Sequence, residues 1–227
     1  SIQNIRFSRF GFGTRLGWNI LGTSDNTGTT GINALYIYEK GDGIPIILRA
    51  HSTFLEWYNR TGDTWHTLVS GLTTDLSFGF APYNKTDLST TSTQTFDNNL
   101  FFGTGTESNR VWNGAIAVID STTATTVVVQ GTTTLANLGF AATGDIIINT
   151  STYTYSGISG QTFTISVGNP SSEPSGDGVA QATSTTNLTG LRRGNIMLSS
   201  LGRILMTRDN AVRLYASGTA DTIDSSL

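Results

Sequence analysis

Apolar and polar residues alternate with a period of two along most of the chain, interrupted every few positions by Gly, Asn, Asp, Ser or Thr. Successive side chains of a strand point to opposite faces, so this is the pattern of short β-strands. In the first half it predicts strands over 34–38, 46–50, 54–58, 64–69, 76–83, 100–102, 110–112 and 115–119. Turn signals separate them, among them Lys40-Gly41-Asp42-Gly43, Arg60-Thr61-Gly62-Asp63 and Asn113-Gly114. Helical periodicity is nearly absent, because residues that favour turns and strands break every window long enough for an apolar stripe.

A repeat emerges from these segments. Leu100-Phe101-Phe102, a polar turn and Arg110-Val111-Trp112-Asn113-Gly114 are echoed by Ile204-Leu205-Met206, Arg208-Asp209-Asn210 and Arg213-Leu214-Tyr215-Ala216-Ser217-Gly218. Leu35-Tyr36-Ile37-Tyr38 with Leu55-Glu56-Trp57-Tyr58-Asn59 is a looser copy. Repeated antiparallel hairpins with one aromatic each are the sequence form of β-propeller blades. About two or three blades are visible, and a closed ring needs at least ~4. The chain begins without Met and stops at Asp224-Ser225-Ser226-Leu227 soon after a strand-like segment. A processed or partial chain, and so an incomplete ring, is the expectation.

Between Asp120 and Asn187 the texture changes to Thr-rich sequence with no Trp, Lys or Arg. Strands are predicted there over 126–130, 145–149, 151–156 and 162–167, with turns at 149–150 and 157–160 and one helical turn over 135–138. The segment 169–178 reads as a loop, and the blade-like pattern resumes at 195–199. The predicted organisation is propeller-like blades over 1–119, an inserted small β-sandwich or barrel-like domain with its return linker over 120–190, and a resumed blade over 191–227.

Composition narrows the partners. Only 13% of the 227 residues are charged, about half the usual share, so the surface is mostly hydroxyl, amide and backbone. The net charge of -3 leaves no basic footprint for nucleic acid. No apolar run approaches the ~18 residues that span a bilayer, so no membrane partner is expected. With no Cys, disulfides and thiolate metal sites are excluded.

Ordered motifs then resemble a family. Asn4-Ile5-Arg6-Phe7-Ser8 followed by Thr14-Arg15-Leu16-Gly17-Trp18 resembles the opening N-x-R-F … R-P-G-Y/W of propeller-containing structural proteins of tailed-bacteriophage tails, the nozzle and adaptor types included. Leu16 stands where that pattern has Pro. Asn99-Leu100-Phe101-Phe102-Gly103 with Val111-Trp112-Asn113-Gly114 is similar to that family's blade motif, and 124–129 with 144–157 is similar to a small β module of phage tail proteins. The resemblance implies a virion (tail) location, other virion proteins as partners, a homo-oligomer and a role in assembly without catalysis.

The search for chemistry is sparse in result. His51 and His66 have no second His or carboxylate at metal-ligand spacing, so no metal is expected and both read as surface or hairpin residues. Glu39, Asp42, Glu56, Asp63 and Asp75 could in principle supply a glycosidase pair, but read as turn residues or solvated strand faces. Gly62-Asp63-Thr64-Trp65 resembles the closing half of a sialidase Asp-box, with Tyr58 and Arg60 at the positions of its Ser and Asp. That half is the structural turn, not the chemistry. No cofactor is expected, because Gly11-Phe12-Gly13-Thr14-Arg15-Leu16 lacks the last Gly of a dinucleotide loop. Arg6, Arg9, Phe10, Phe12, Arg15 and Trp18 form the one basic-aromatic cluster and are the candidate subunit interface. Trp57, Trp65 and Trp112 read as blade core.

The leading expectation is therefore a non-enzymatic structural protein of a tailed-phage virion, in the tail or head–tail region, acting as an assembly scaffold. The alternative is a carbohydrate- or receptor-binding β-propeller module, with or without glycan hydrolysis, motivated by aromatics in the hairpins. A bacterial surface or adhesion module of similar Thr-rich composition is a third.

Overall fold

The computed structural model describes residues 5–8, 11–14, 21–24, 31–40, 43–74, 76–85, 97–185, 193–200, 203–207 and 215–216. It is all-β, with no α-helix among the described residues. Strands β1 (Ile5–Ser8) and β2 (Gly11–Thr14) pair as an antiparallel ribbon. Next come β3 (Thr23–Ser24), β4 (Ile32–Glu39), β5 (Pro45–His51), β6 (Phe54–Asn59) and β7 (Thr64–Val69). They make a five-stranded sheet ordered β3-β7-β6-β5-β4, antiparallel except at the β3–β7 pair. β8 (Gly79–Lys85), β9 (Asp97–Gly103) and β10 (Arg110–Trp112) form a three-stranded antiparallel meander.

The chain then enters a closed barrel of β11 (Ile116–Thr122), β12 (Thr126–Val129), β13 (Gly144–Ile148), β14 (Ser151–Ser159), β15 (Thr162–Val167) and β16 (Gly178–Gln181). Its order around the wall is β11-β12-β15-β14-β13-β16, with every pair antiparallel. β13, β14 and β15 are joined by hairpins and β16 returns to lie beside β13, which is a Greek key. Alternation supplies the filling: Val127, Val129, Ile146, Ile148, Tyr155, Phe163 and Val179 are buried inside. Register shifts in the β11–β12 and β14–β15 pairs are bulges, which bend the strands round so small a wall. The turn at 135–138 is a single one, closed by Leu138 N–H to Thr134 O at 3.0 Å and Phe140 N–H to Leu135 O at 3.0 Å.

A second meander of β17 (Ile196–Ser200), β18 (Arg203–Thr207) and β19 (Tyr215–Ala216) follows. The two copies of the sequence repeat are thus both antiparallel pairs, β9–β10 and β18–β19. Trp112 lies opposite Leu100 whereas Tyr215 lies opposite Met206, so the copies differ in register by two positions.

The three open sheets stack face to face, with β8–β10 in the middle. Leu100, Phe102 and Trp112 pack on one side against Tyr38, Leu48 and Leu55 of the five-stranded sheet, with Tyr36 stacked on Phe80 at 4.7 Å. Ala81 and Phe101 pack on the other side against Ile204 and Met206. A strand buried on both faces must be apolar at consecutive positions, which is why Leu100-Phe101-Phe102 breaks the period of two. Gly79 permits the close approach on that second side: a Cβ there would lie 2.5 Å from the carbonyl carbon of Asn195.

The barrel seats its outer wall on the inner face of the five-stranded sheet. Ala180 joins the same core as Tyr38 and Trp57, with Ile116 and Val118 packed against it. At the contact, Gly178 N–H donates to His66 Nδ1 at 3.1 Å. A Cβ on Gly178 would fall 2.4 Å from His66 Cγ and 2.6 Å from Trp57 Cζ2, so only glycine fits. The strand expected over 115–119 belongs to this barrel, since β11 pairs with β12 and β16. The composition shift at Asp120 marks a change of surface chemistry, not the first barrel hydrogen bond. The prediction is that Gly178→Ala lowers stability to urea by about 1–3 kcal/mol through overpacking. Gly157→Ala, where a Cβ meets nothing within 4 Å, leaves stability unchanged or raises it by up to about 1 kcal/mol.

Candidate functional site

Of the candidate interface residues, Arg6 and Phe12 lie in the β1–β2 ribbon, where the register sets Arg6 opposite Gly13 and Phe12 opposite Phe7. Arg9, Phe10, Arg15 and Trp18 lie outside the described residues, as do Asp42 and Asp75. Trp57, Trp65 and Trp112 are each no more than 2% exposed, so none offers a ring face to a sugar.

Both histidines and Glu56 depart from the sequence reading: all three are buried and not on solvated faces. They sit on β5, β6 and β7, where consecutive positions are buried on both faces of the sheet: Leu55, Glu56 and Trp57 of β6 and Trp65 to Val69 of β7. Glu56 Oε2 accepts from Arg49 Nε at 2.7 Å and meets His51 Nε2 at 2.9 Å. Arg49 also lies over the Trp65 ring, 4.2 Å from its centroid, and the Trp65 indole N–H donates to Leu21 O at 2.7 Å. A fully buried carboxylate is tolerated only when paired in this way. The hairpin register explains the cluster: a two-residue turn at Ser52-Thr53 sets Arg49 directly opposite Glu56. These residues brace the sheet.

His66 is held differently. Its Nδ1 accepts the Gly178 amide proton, so the ring carries its hydrogen on Nε2, which lies 2.9 Å from Thr64 Oγ1. The surviving half of the Asp-box is the β6–β7 turn, with Asp63 at φ 53° and its Oδ1 accepting from Tyr58 Oη at 2.5 Å.

A second polar group closes one end of the barrel. Asn149 Nδ2 donates to Glu173 Oε2 and Asp177 Oδ2, each at 2.7 Å, and Tyr153 Oη donates to Glu173 Oε1 at 2.5 Å. This ties the loop between β15 and β16, with its 3-10 turn at Pro170–Ser172, to the β13–β14 turn. Near the other end, Tyr155 Oη donates to Gln181 Oε1 at 2.8 Å. Among the described residues, no group of three or more His, Asp or Glu side chains is placed to hold a metal ion.

No protein-family model, curated protein or solved structure matches this chain.

Among the described residues the surface also carries apolar rows. Leu35 and Ile37 on β4 are 64% and 59% exposed, and Ile196 and Leu198 on β17 are 52% and 61% exposed. Both strands are sheet edges, where uncovered apolar faces mark interaction surfaces. Sequence reasoning missed them because Leu35 and Ile37 alternate with the equally apolar Tyr36 and Tyr38.

Glu56→Ala lowers stability to urea by about 3–5 kcal/mol, because it strands Arg49 and His51, while Glu39→Ala on an exposed strand position changes it by less than about 0.5 kcal/mol. Burial, and then the hydrogen bond to Glu173, raise the Tyr153 phenol above 10.0, and burial raises Tyr155 likewise. The folded chain holds these protons more tightly than the unfolded chain. Their contribution is therefore complete below the unfolded value of 10.0 and is lost as the pH rises above it. Urea midpoints followed into alkali fall more gently for Tyr155→Phe than for the unaltered chain.

Proposed function

We propose that this chain is a non-enzymatic structural protein of a tailed-bacteriophage virion, acting as an assembly scaffold in the tail or head–tail region. The observation that carries the reading is the β9–β10 pair. Its residues bear the blade motif of the tail-protein resemblance, and it is sandwiched between two further sheets on both faces. In this reading β4–β7, β8–β10 and β17–β19 are successive propeller blades, since meanders stacked face to face are how such blades pack. The barrel, edgeless and hydroxyl-rich, decorates the blade stack. Other virion proteins and further copies of the chain are its partners.

The polar clusters support a scaffold as well. Charged side chains here brace the fold: Glu56 pairs with Arg49 and meets His51, and the half-buried Glu173 and Asp177 accept from Asn149 and pin a loop. The exposed apolar rows on β4 and β17 suit permanent burial against neighbours more than reversible capture of a polar ligand.

Purified particles from the source test this. Mass spectrometry is expected to find the chain in fixed stoichiometry with the other tail proteins, surviving a high-salt wash, and an electron-microscopy map to hold its barrel in the tail or at the head–tail joint. Particles that lack the chain would overturn the proposal.

A further inference from the structure

The stack of three sheets ends on an apolar face at both sides. Within the chain each contact between sheets joins aliphatic and aromatic residues: Tyr36 with Phe80, Tyr38 with Trp112, and Phe101 in one cluster with Ile204 and Met206. Beyond the five-stranded sheet the outward row is Leu35 and Ile37, opposite in register to Arg49 and Ile47. Beyond β17–β18 it is Ile196 and Leu198, with Leu198 opposite Leu205. The barrel, by contrast, exposes one large hydrophobic residue, Val167.

We propose that copies of this chain associate head to tail, the outer face of β17–β18 in one copy seating on the outer β4–β5 face of the next. Three observations select this occupant. The faces are of the same chemical make as those that already stack within the chain, so the contact continues an established packing. Of the two charges on the first face, Arg49 is already paired with Glu56 and laid over Trp65, and Glu39 stands at the end of the strand beyond Ile37, where it can stay at the rim of the contact. A head-to-tail contact covers both rows at once, whereas a two-fold contact of like with like covers one and leaves the other in water. Repetition of such a contact gives a ring if its rotation closes.

The inference rests on reading the sheets as successive blades of a scaffold, but it is tested in solution, so it can fail while the virion assignment stands. Sedimentation velocity on the full chain is expected to show a mass that rises with concentration. Leu35→Asp with Ile37→Asp blocks one end, and Ile196→Asp with Leu198→Asp blocks the other. Each double variant alone is expected to remain monomeric, and an equal mixture to form a dimer and nothing larger. Should an aspartate variant lose its far-UV circular dichroism, Thr at the same positions keeps strand propensity and is expected to weaken association on the order of tenfold. The proposal is overturned by an unaltered chain that stays monomeric at every concentration, by a single blocked variant that still self-associates like the unaltered chain, or by a mixture that stays monomeric.

Discussion

One backbone hydrogen bond sets how the two halves of this molecule meet. The Gly178 amide donates to His66 Nδ1 inside a contact too close for any side chain at position 178. The bond fixes the tautomer of His66, holds its ring against Trp57 at 4.9 Å between centroids, and so shapes the inner face on which the barrel rests. The amide satisfies an imidazole nitrogen that would otherwise be costly to bury. The barrel and the sheet therefore specify each other.

The remaining architecture is governed by how many faces of each sheet must be apolar. The middle sheet is covered twice, and its strands carry large side chains on both sides. On its second face the five-stranded sheet buries the Arg49–Glu56–His51 cluster of β5 and β6. Along β4 the same face is aliphatic and open. The buried Glu56 carboxylate is thus paired, and apolar groups are exposed where the stack stops.

Much of this was legible in the sequence. The strands over 64–69, 110–112 and 162–167 have the expected limits because strong turn residues bound them: Gly62-Asp63, Asn113-Gly114 and Gly160, whose φ of 58° suits glycine. The cross-strand pair of Arg49 and Glu56 could have been found by counting outward from a two-residue turn. Burial of His66 could not, since nothing within β7 tells that a strand some 110 residues away covers it. Closure of the barrel was hidden for the same reason, because it depends on the long-range β12–β15 and β11–β16 pairs. The outer row of β4 was illegible in another way: a strand apolar on both faces reads as fully buried, and periodicity cannot say which face is left bare.

The way into the barrel and the way out of it run side by side. β11 pairs with β16, Gln181 N–H donates to Ala115 O at 3.0 Å, and Val111 and Ser184 exchange both backbone hydrogen bonds at 2.9 Å. The chain thus leaves the sheets and returns to them along a single two-stranded ribbon. Seen from the sheets, the whole barrel occupies the place of a hairpin loop. Loop length is thermodynamically inexpensive, so what the sheets require of this insert is not its length but the two ends held on that ribbon and the surface that Ala180, Ile116 and Val118 lay against them. Most of the barrel can therefore vary without touching the sheets, while that small patch cannot.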